Sequence, residues 1–106
     1  MKSQVLLAAF LLFFGCAAQQ LPPEMAGAMD ACLSQCQAQM LAGANLSYGP
    51  CLLDPIPDYP GWVCDVAHSP RQPQDNLTQN QCSSFLNGTS RHFVEVSPDC
   101  ALIRVQ

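Results

Sequence analysis

The sequence predicts a small α+β fold: an N-terminal amphipathic helix packed on a short antiparallel sheet of three or four strands and stapled by disulfides. Three observations carry this. Met25, Met29, Cys32, Cys36 and Met40 recur at spacings of 4, 3, 4 and 4, the period of one helix face. Residues 62–67 and 91–96 alternate apolar and polar side chains, and 100–105 reads as a partner strand. Cys32, Cys36, Cys51, Cys64, Cys82 and Cys100 form an even set once Cys16 has a separate fate.

That separate fate follows from the start of the chain. Lys2 and the unbroken apolar run 5–14 resemble the n- and h-regions of a signal peptide, because a membrane-spanning helix needs roughly 20 apolar residues. Residues 1–16 are therefore expected to direct export. Two cleavage schemes compete: an ordinary cut after Ala17 or Ala18, or a permissive lipobox at Leu12-Phe13-Phe14-Gly15-Cys16 that lipidates Cys16. Either scheme removes the odd thiol from a chain with seven cysteines. Residues 17–23, uncharged and ending in Pro22-Pro23, then read as a tether, and residues 24–106 as a single disulfide-rich domain. The expected location is the cell surface through a lipid anchor at Cys16, or secretion.

Within the domain, Pro22-Pro23-Glu24 opens the helix, since Pro loses nothing in the first turn and Glu24 suits the positive end of the dipole. Gly43 supplies its C-cap, so the helix is expected over 24–42. Residues 45–61 hold four Pro-containing breakers and read as a rigid loop. Trp62, Cys64 and Val66 then share one strand face, with Val63, Asp65 and Ala67 on the other. Ser69-Pro70 ends this strand and residues 68–76 form a polar loop. Residues 77–86 suit a short helix or a strand, Asn87-Gly88 signals a type I′ hairpin, and 91–105 completes an antiparallel meander.

Charge excludes some partners. Without Lys2, the three arginines Arg71, Arg91 and Arg104 face eight carboxylates, a formal charge of 3 − 8 = −5. Such a surface has no footprint for nucleic acid or anionic lipid, so membrane contact is expected only through the anchor. Metal binding is not expected: after Cys36 the cysteines are spaced 15, 13, 18 and 18 residues apart, unlike the close ligand pairs of zinc sites. No C-x-x-C pair supports a redox role, and no cofactor is implied. Asn45, Asn76 and Asn87 head N-x-[ST] acceptor sequences and Asn80 the weaker cysteine variant.

The candidate chemistry gathers in 62–71. His68, Arg71, Asp65 and His92 are the candidate ligand-binding residues, able to line a polar patch that takes an anion or carboxylate through a guanidinium fork. The plainer reading makes Arg71 a solvated loop charge or a clamp on Asp65 or Asp75, and Trp62 a core residue. The favoured function is a non-enzymatic surface or secreted binding module for a protein or small ligand, acting through the 68–76 loop. Its alternative is a small secreted hydrolase using Asp65, His68 and His92, or an acid and base pair such as Asp65 with Glu95. The string 62–71, with Asp75-Asn76-Leu77, Asn80-Gln81-Cys82 and 92–96, resembles a group of uncharacterised small exported or lipid-anchored proteins of archaea and bacteria. The resemblance covers about residues 32–105 and implies location and domain extent, with no activity.

Overall fold

A computed structural model of the chain describes residues 21–106. The expected signal segment, Cys16 and most of the tether lie outside the described residues. Helix α1 spans Pro23–Leu41, starts with Pro in its first turn and Glu24 beside it, and ends at Ala42 before Gly43. Gly43 has φ +83°, the left-handed value that glycine adopts without a Cβ penalty. The helix precedes four strands: β1 (Cys51–Leu53), β2 (Trp62–Val66), β3 (His92–Val96) and β4 (Leu102–Val105).

The sheet order is β1-β2-β3-β4. The β1–β2 and β3–β4 pairs are antiparallel, but β2 and β3 run parallel, with Trp62 opposite His92 and Val66 opposite Val96. The sheet is therefore mixed, which corrects the expected antiparallel meander. Parallel neighbours require a crossover, and residues 67–91 supply it through two 3-10 turns, Pro73–Asn76 and Thr78–Asn80, and the short helix α2, Ser83–Leu86. Three smaller expectations change with it. Residues 45–61 are not all loop, since β1 lies within them and pairs with β2. Asn87-Gly88 closes α2 instead of a hairpin: no strand precedes it, the Asn87 and Gly88 N–H groups donate to Ser83 and Phe85, and Gly88 takes φ +85°. Met40 is exposed at the end of α1, its sulfur 3.5 Å from that of Cys100.

The core lies between α1 and one sheet face. Ala28, Cys32 and Cys36 of α1 are buried against Cys64, Val66, Val94 and Val96, with Leu46, Ile56 and Trp62 closing the cluster. The indole N–H of Trp62 donates to Glu24 Oε1 at 2.9 Å, so the one tryptophan is a core residue with its polar edge satisfied by α1.

Three disulfides join the described residues: Cys32–Cys64, Cys36–Cys100 and Cys51–Cys82. The first two fasten α1 to β2 and to the turn before β4, as two cysteines one turn apart on a buried stripe require. The third leaves the opposite sheet face, since Cys51 registers with Asp65, and pins the crossover there. Each bridge contributes roughly 2 to 4 kcal/mol by restricting the unfolded chain. Helix and crossover therefore cover opposite faces of one sheet, and the site forms under the crossover.

Candidate functional site

Strand alternation decides which side chains meet. On β2, Trp62, Cys64 and Val66 point to α1, which turns Val63 and Asp65 to the crossover face. On β3, Val94 and Val96 join the core while Phe93 and Glu95 turn away from it. Asp65 and Glu95 are direct register partners on parallel strands, so the two carboxyls stand side by side. Adjacent strands are only about 4.8 Å apart.

Between this face and the crossover lies a cavity of about 270 Å³, lined by Val63, Phe85 and Phe93 on its apolar side and by Asp65, Glu95, Arg71 and Arg104 among its polar residues. Phe85 and Phe93 meet edge to face, 5.3 Å between centroids. Arg71, Glu95 and Arg104 also border a second, smaller and more open depression with His68, Ser69 and Ile103.

The charged groups are unequally satisfied. Glu95 is buried, 7% exposed, and its Oε2 accepts from Arg71 Nη1 at 3.0 Å. Arg71 also donates from Nε to Asn76 Oδ1 at 3.1 Å and from Nη2 to the Asp75 carbonyl at 3.2 Å. Arg71 is thus a clamp on Glu95 and the Asp75 backbone, in place of the expected solvated loop charge or clamp on the Asp65 or Asp75 carboxylate. Arg104 sits with its guanidinium carbon 5.1 Å above the Phe93 ring, and its Nη2 lies 4.0 Å from Glu95 Oε1. Asp65 has no such support: among the described residues, its Oδ1 is the buried side-chain polar atom left without a hydrogen-bond partner. Burial first, and then the adjacent Glu95 charge, push its pKa up to about 8, against a weaker downward pull from Arg71.

Asp75 organises the loop that carries Arg71. Its Oδ2 accepts the His68 and Gln72 backbone N–H groups at 2.9 and 3.0 Å, and its Oδ1 accepts from His68 Nδ1 at 2.9 Å. Burial alone would raise its pKa, but these hydrogen bonds outweigh it and hold the carboxyl below its ordinary value. Gly49 admits this knot: a Cβ there would lie 2.6 Å from Asp75 Oδ1.

Of the four expected site residues, the fold brings Asp65 and Arg71 to the cavity and His68 to the neighbouring depression, with its ring committed to Asp75. His92 stands apart. Its ring stacks on Trp62 at 4.7 Å, on the helix side of the sheet, so Asp65, His68 and His92 face no common site. The Asp65 and Glu95 pair is brought together. Arg104, Phe85 and Phe93 were not singled out in the sequence; the parity of Phe93 with Glu95 was the available signal, and Arg104 had none.

Cys51, Asp54 and Cys82 offer three ligand-type atoms within 4.8 Å of one another, but the two sulfurs are joined to each other and are not thiolates. Asn45, Asn76 and Asn87 are exposed. Asn80 is buried with its amide donating to the Tyr48 and Gln74 carbonyls, so its weak acceptor sequence is sealed in the fold.

The fold and site together define a small disulfide-stapled α+β domain with a mixed polar and aromatic cavity. Comparison with family models, with curated proteins and with solved structures finds no match.

Proposed function

We propose that the domain is a non-enzymatic binding module that holds a small ligand in the cavity between the sheet and the 67–91 crossover. The observation that carries this reading is the Asp65 carboxyl, held at the cavity with one oxygen unpartnered. A buried polar group left unpaired costs about 1 to 3 kcal/mol, a cost that a ligand able to hydrogen-bond with the carboxyl would remove. The aromatic pair beside it supplies the apolar wall that small-ligand sites share. Arg71 and Asn76 bring the 68–76 loop into the site.

The test is a fragment titration followed by NMR on the oxidised protein. Binders that shift the resonances of Val63, Phe85 and Phe93 together support the reading. Binders that shift only residues outside this set, or none at all, overturn it.

The hydrolase reading has less behind it, because His92 and Asp65 lie on opposite sides of the sheet. Of the catalytic pairings the sequence offered, the fold keeps together the carboxyls of Asp65 and Glu95.

The proposed location is outside the cell, anchored through Cys16 or secreted. Three disulfides favour an oxidising compartment. The intact mass of the native protein decides between the two forms: a lipidated Cys16 terminus means an anchored domain, and a lipid-free start near Ala18 or Gln19 a diffusible one.

A further inference from the structure

We propose that the cavity binds a small carboxylate with an apolar body, its head held by Arg104 and the Asp65 carboxyl and its body laid against Val63, Phe85 and Phe93. This rests on the reading of the cavity as a ligand site and names the class of ligand.

Arg71 has every guanidinium nitrogen already engaged, Nε, Nη1 and Nη2 donating to Asn76, Glu95 and Asp75, which fixes its plane and leaves one N–H on each terminal nitrogen. Glu95 has Arg71 on Oε2, and Arg104 approaches Oε1 only at 4.0 Å, beyond hydrogen-bond reach. Arg104 is more than half exposed and lies over Phe93, so its planar donor fork is left open at the cavity rim. A carboxylate fits that fork with two parallel hydrogen bonds.

Asp65 decides the sign of the ligand. The groups acting on it are Glu95 from β3 and Arg71 and Asp75 from the crossover, with Arg104 of β4 across the cavity. Its burial and the Glu95 charge keep it protonated at neutral pH, so it offers an O–H donor and no repulsion. The lining then carries Arg71 and Arg104 against Glu95, one net positive charge. An anion neutralises that charge. A cation would have to expel the Asp65 proton beside Glu95 and compete with Arg71. The volume of about 270 Å³ suits a ligand of roughly ten non-hydrogen atoms, taking about 30 Å³ for each water-sized unit. Phe85 and Phe93 favour a flat or linear apolar body.

The experiment titrates the oxidised protein with 3-phenylpropanoate, 3-phenylpropanamide and 3-phenylpropylamine at pH 6.5 and pH 9.5, followed by calorimetry and NMR. The carboxylate is expected to bind at pH 6.5 with shifts at Val63, Phe85, Phe93 and Arg104. Its affinity should fall on the order of tenfold or more at pH 9.5, as Asp65 ionises. Arg104→Gln, a change at an exposed side chain, should weaken binding by a similar factor at pH 6.5. Asp65→Asn keeps a donor at every pH and should hold the pH 9.5 affinity within about threefold of the pH 6.5 value. Preference for the amine, or equal binding of the amide and the carboxylate at the same resonances, overturns the carboxylate assignment while leaving the cavity as a ligand site. If none of the three probes moves those resonances, the carboxylate assignment falls, while the ligand-site reading stands or falls by the fragment titration.

Discussion

Asp65 and Glu95 occupy matching positions on adjacent parallel strands, and only one of the two carboxyls has an arginine hydrogen-bonded to it. Glu95 takes the Arg71 guanidinium; Asp65, beside it, keeps an unpartnered buried oxygen. Two like charges this close in a half-buried site separate in proton affinity, and the member without a clamp holds the proton.

The first consequence is a pH-dependent stability. The folded pKa of Asp65, about 8, lies above the ordinary value of 3.8, so between those values the folded protein binds a proton that the unfolded chain does not. The stability this proton confers is complete below about pH 4 and is lost as pH rises towards 8. Asp65→Asn removes the titration. The variant should match the parent near pH 4 and exceed it by roughly 2 to 4 kcal/mol above pH 8, discounted for partial exposure. Denaturant melts at both pH values check this, and equal losses on both sides would count against it.

Asp75 behaves in the opposite sense. Its carboxyl is held below the ordinary value, so its contribution is present above the unfolded pKa and is lost as pH falls through the folded one. At neutral pH, Asp75→Ala leaves the His68 and Gln72 N–H groups and the His68 ring without their acceptor, and should cost about 3 kcal/mol or more. Amide exchange should accelerate first at His68 and Gln72.

Two glycines with similar backbone angles should respond unequally. Gly43 and Gly49 have φ of +83° and +78°, so alanine is strained at both by about 1 to 2 kcal/mol. A Cβ at Gly43 meets open space, whereas at Gly49 it meets Asp75 Oδ1 at 2.6 Å and the Val66 carbonyl at 3.3 Å. Thermal melts should show Gly49→Ala as the more damaging change, by at least about 1 kcal/mol.

The disulfides can be ranked. Cys36–Cys100 closes a sequence separation of 64 and Cys51–Cys82 one of 31, so loop entropy makes the former worth about 0.6 kcal/mol more. Their local effects should differ more. Replacing Cys51 and Cys82 by Ala frees the crossover from the sheet and should abolish cavity binding, while removal of the Cys36–Cys100 bridge should leave the cavity occupied. Paired melts and ligand titrations of the two variants check both statements.

Much of this architecture was legible in the chain because it depends on local rules. The recurrence of Met25, Met29, Cys32 and Cys36 marks a helix face whatever that helix packs on, and the alternation across Trp62 to Val66 puts Asp65 opposite the core in any sheet. Glycine at Gly43 and the even set of six cysteines are likewise local or compositional facts. By contrast, Asn87-Gly88 means a hairpin only when strands flank it; here a helical turn precedes it, and the same pair closes that turn.

What only the tertiary structure decided is which distant segments become neighbours. Pairing β2 with β3 in parallel, not through a meander, sets Asp65 beside Glu95, lays the crossover over them, and sends His92 to the helix side with Trp62. Disulfide pairing, the Arg71 clamp and the place of Arg104 over Phe93 follow from that topology. Local propensity reports the face on which a side chain lies; the side chain that meets it there is set by the order and direction of strands, which are long-range contacts with no signature in neighbouring residues.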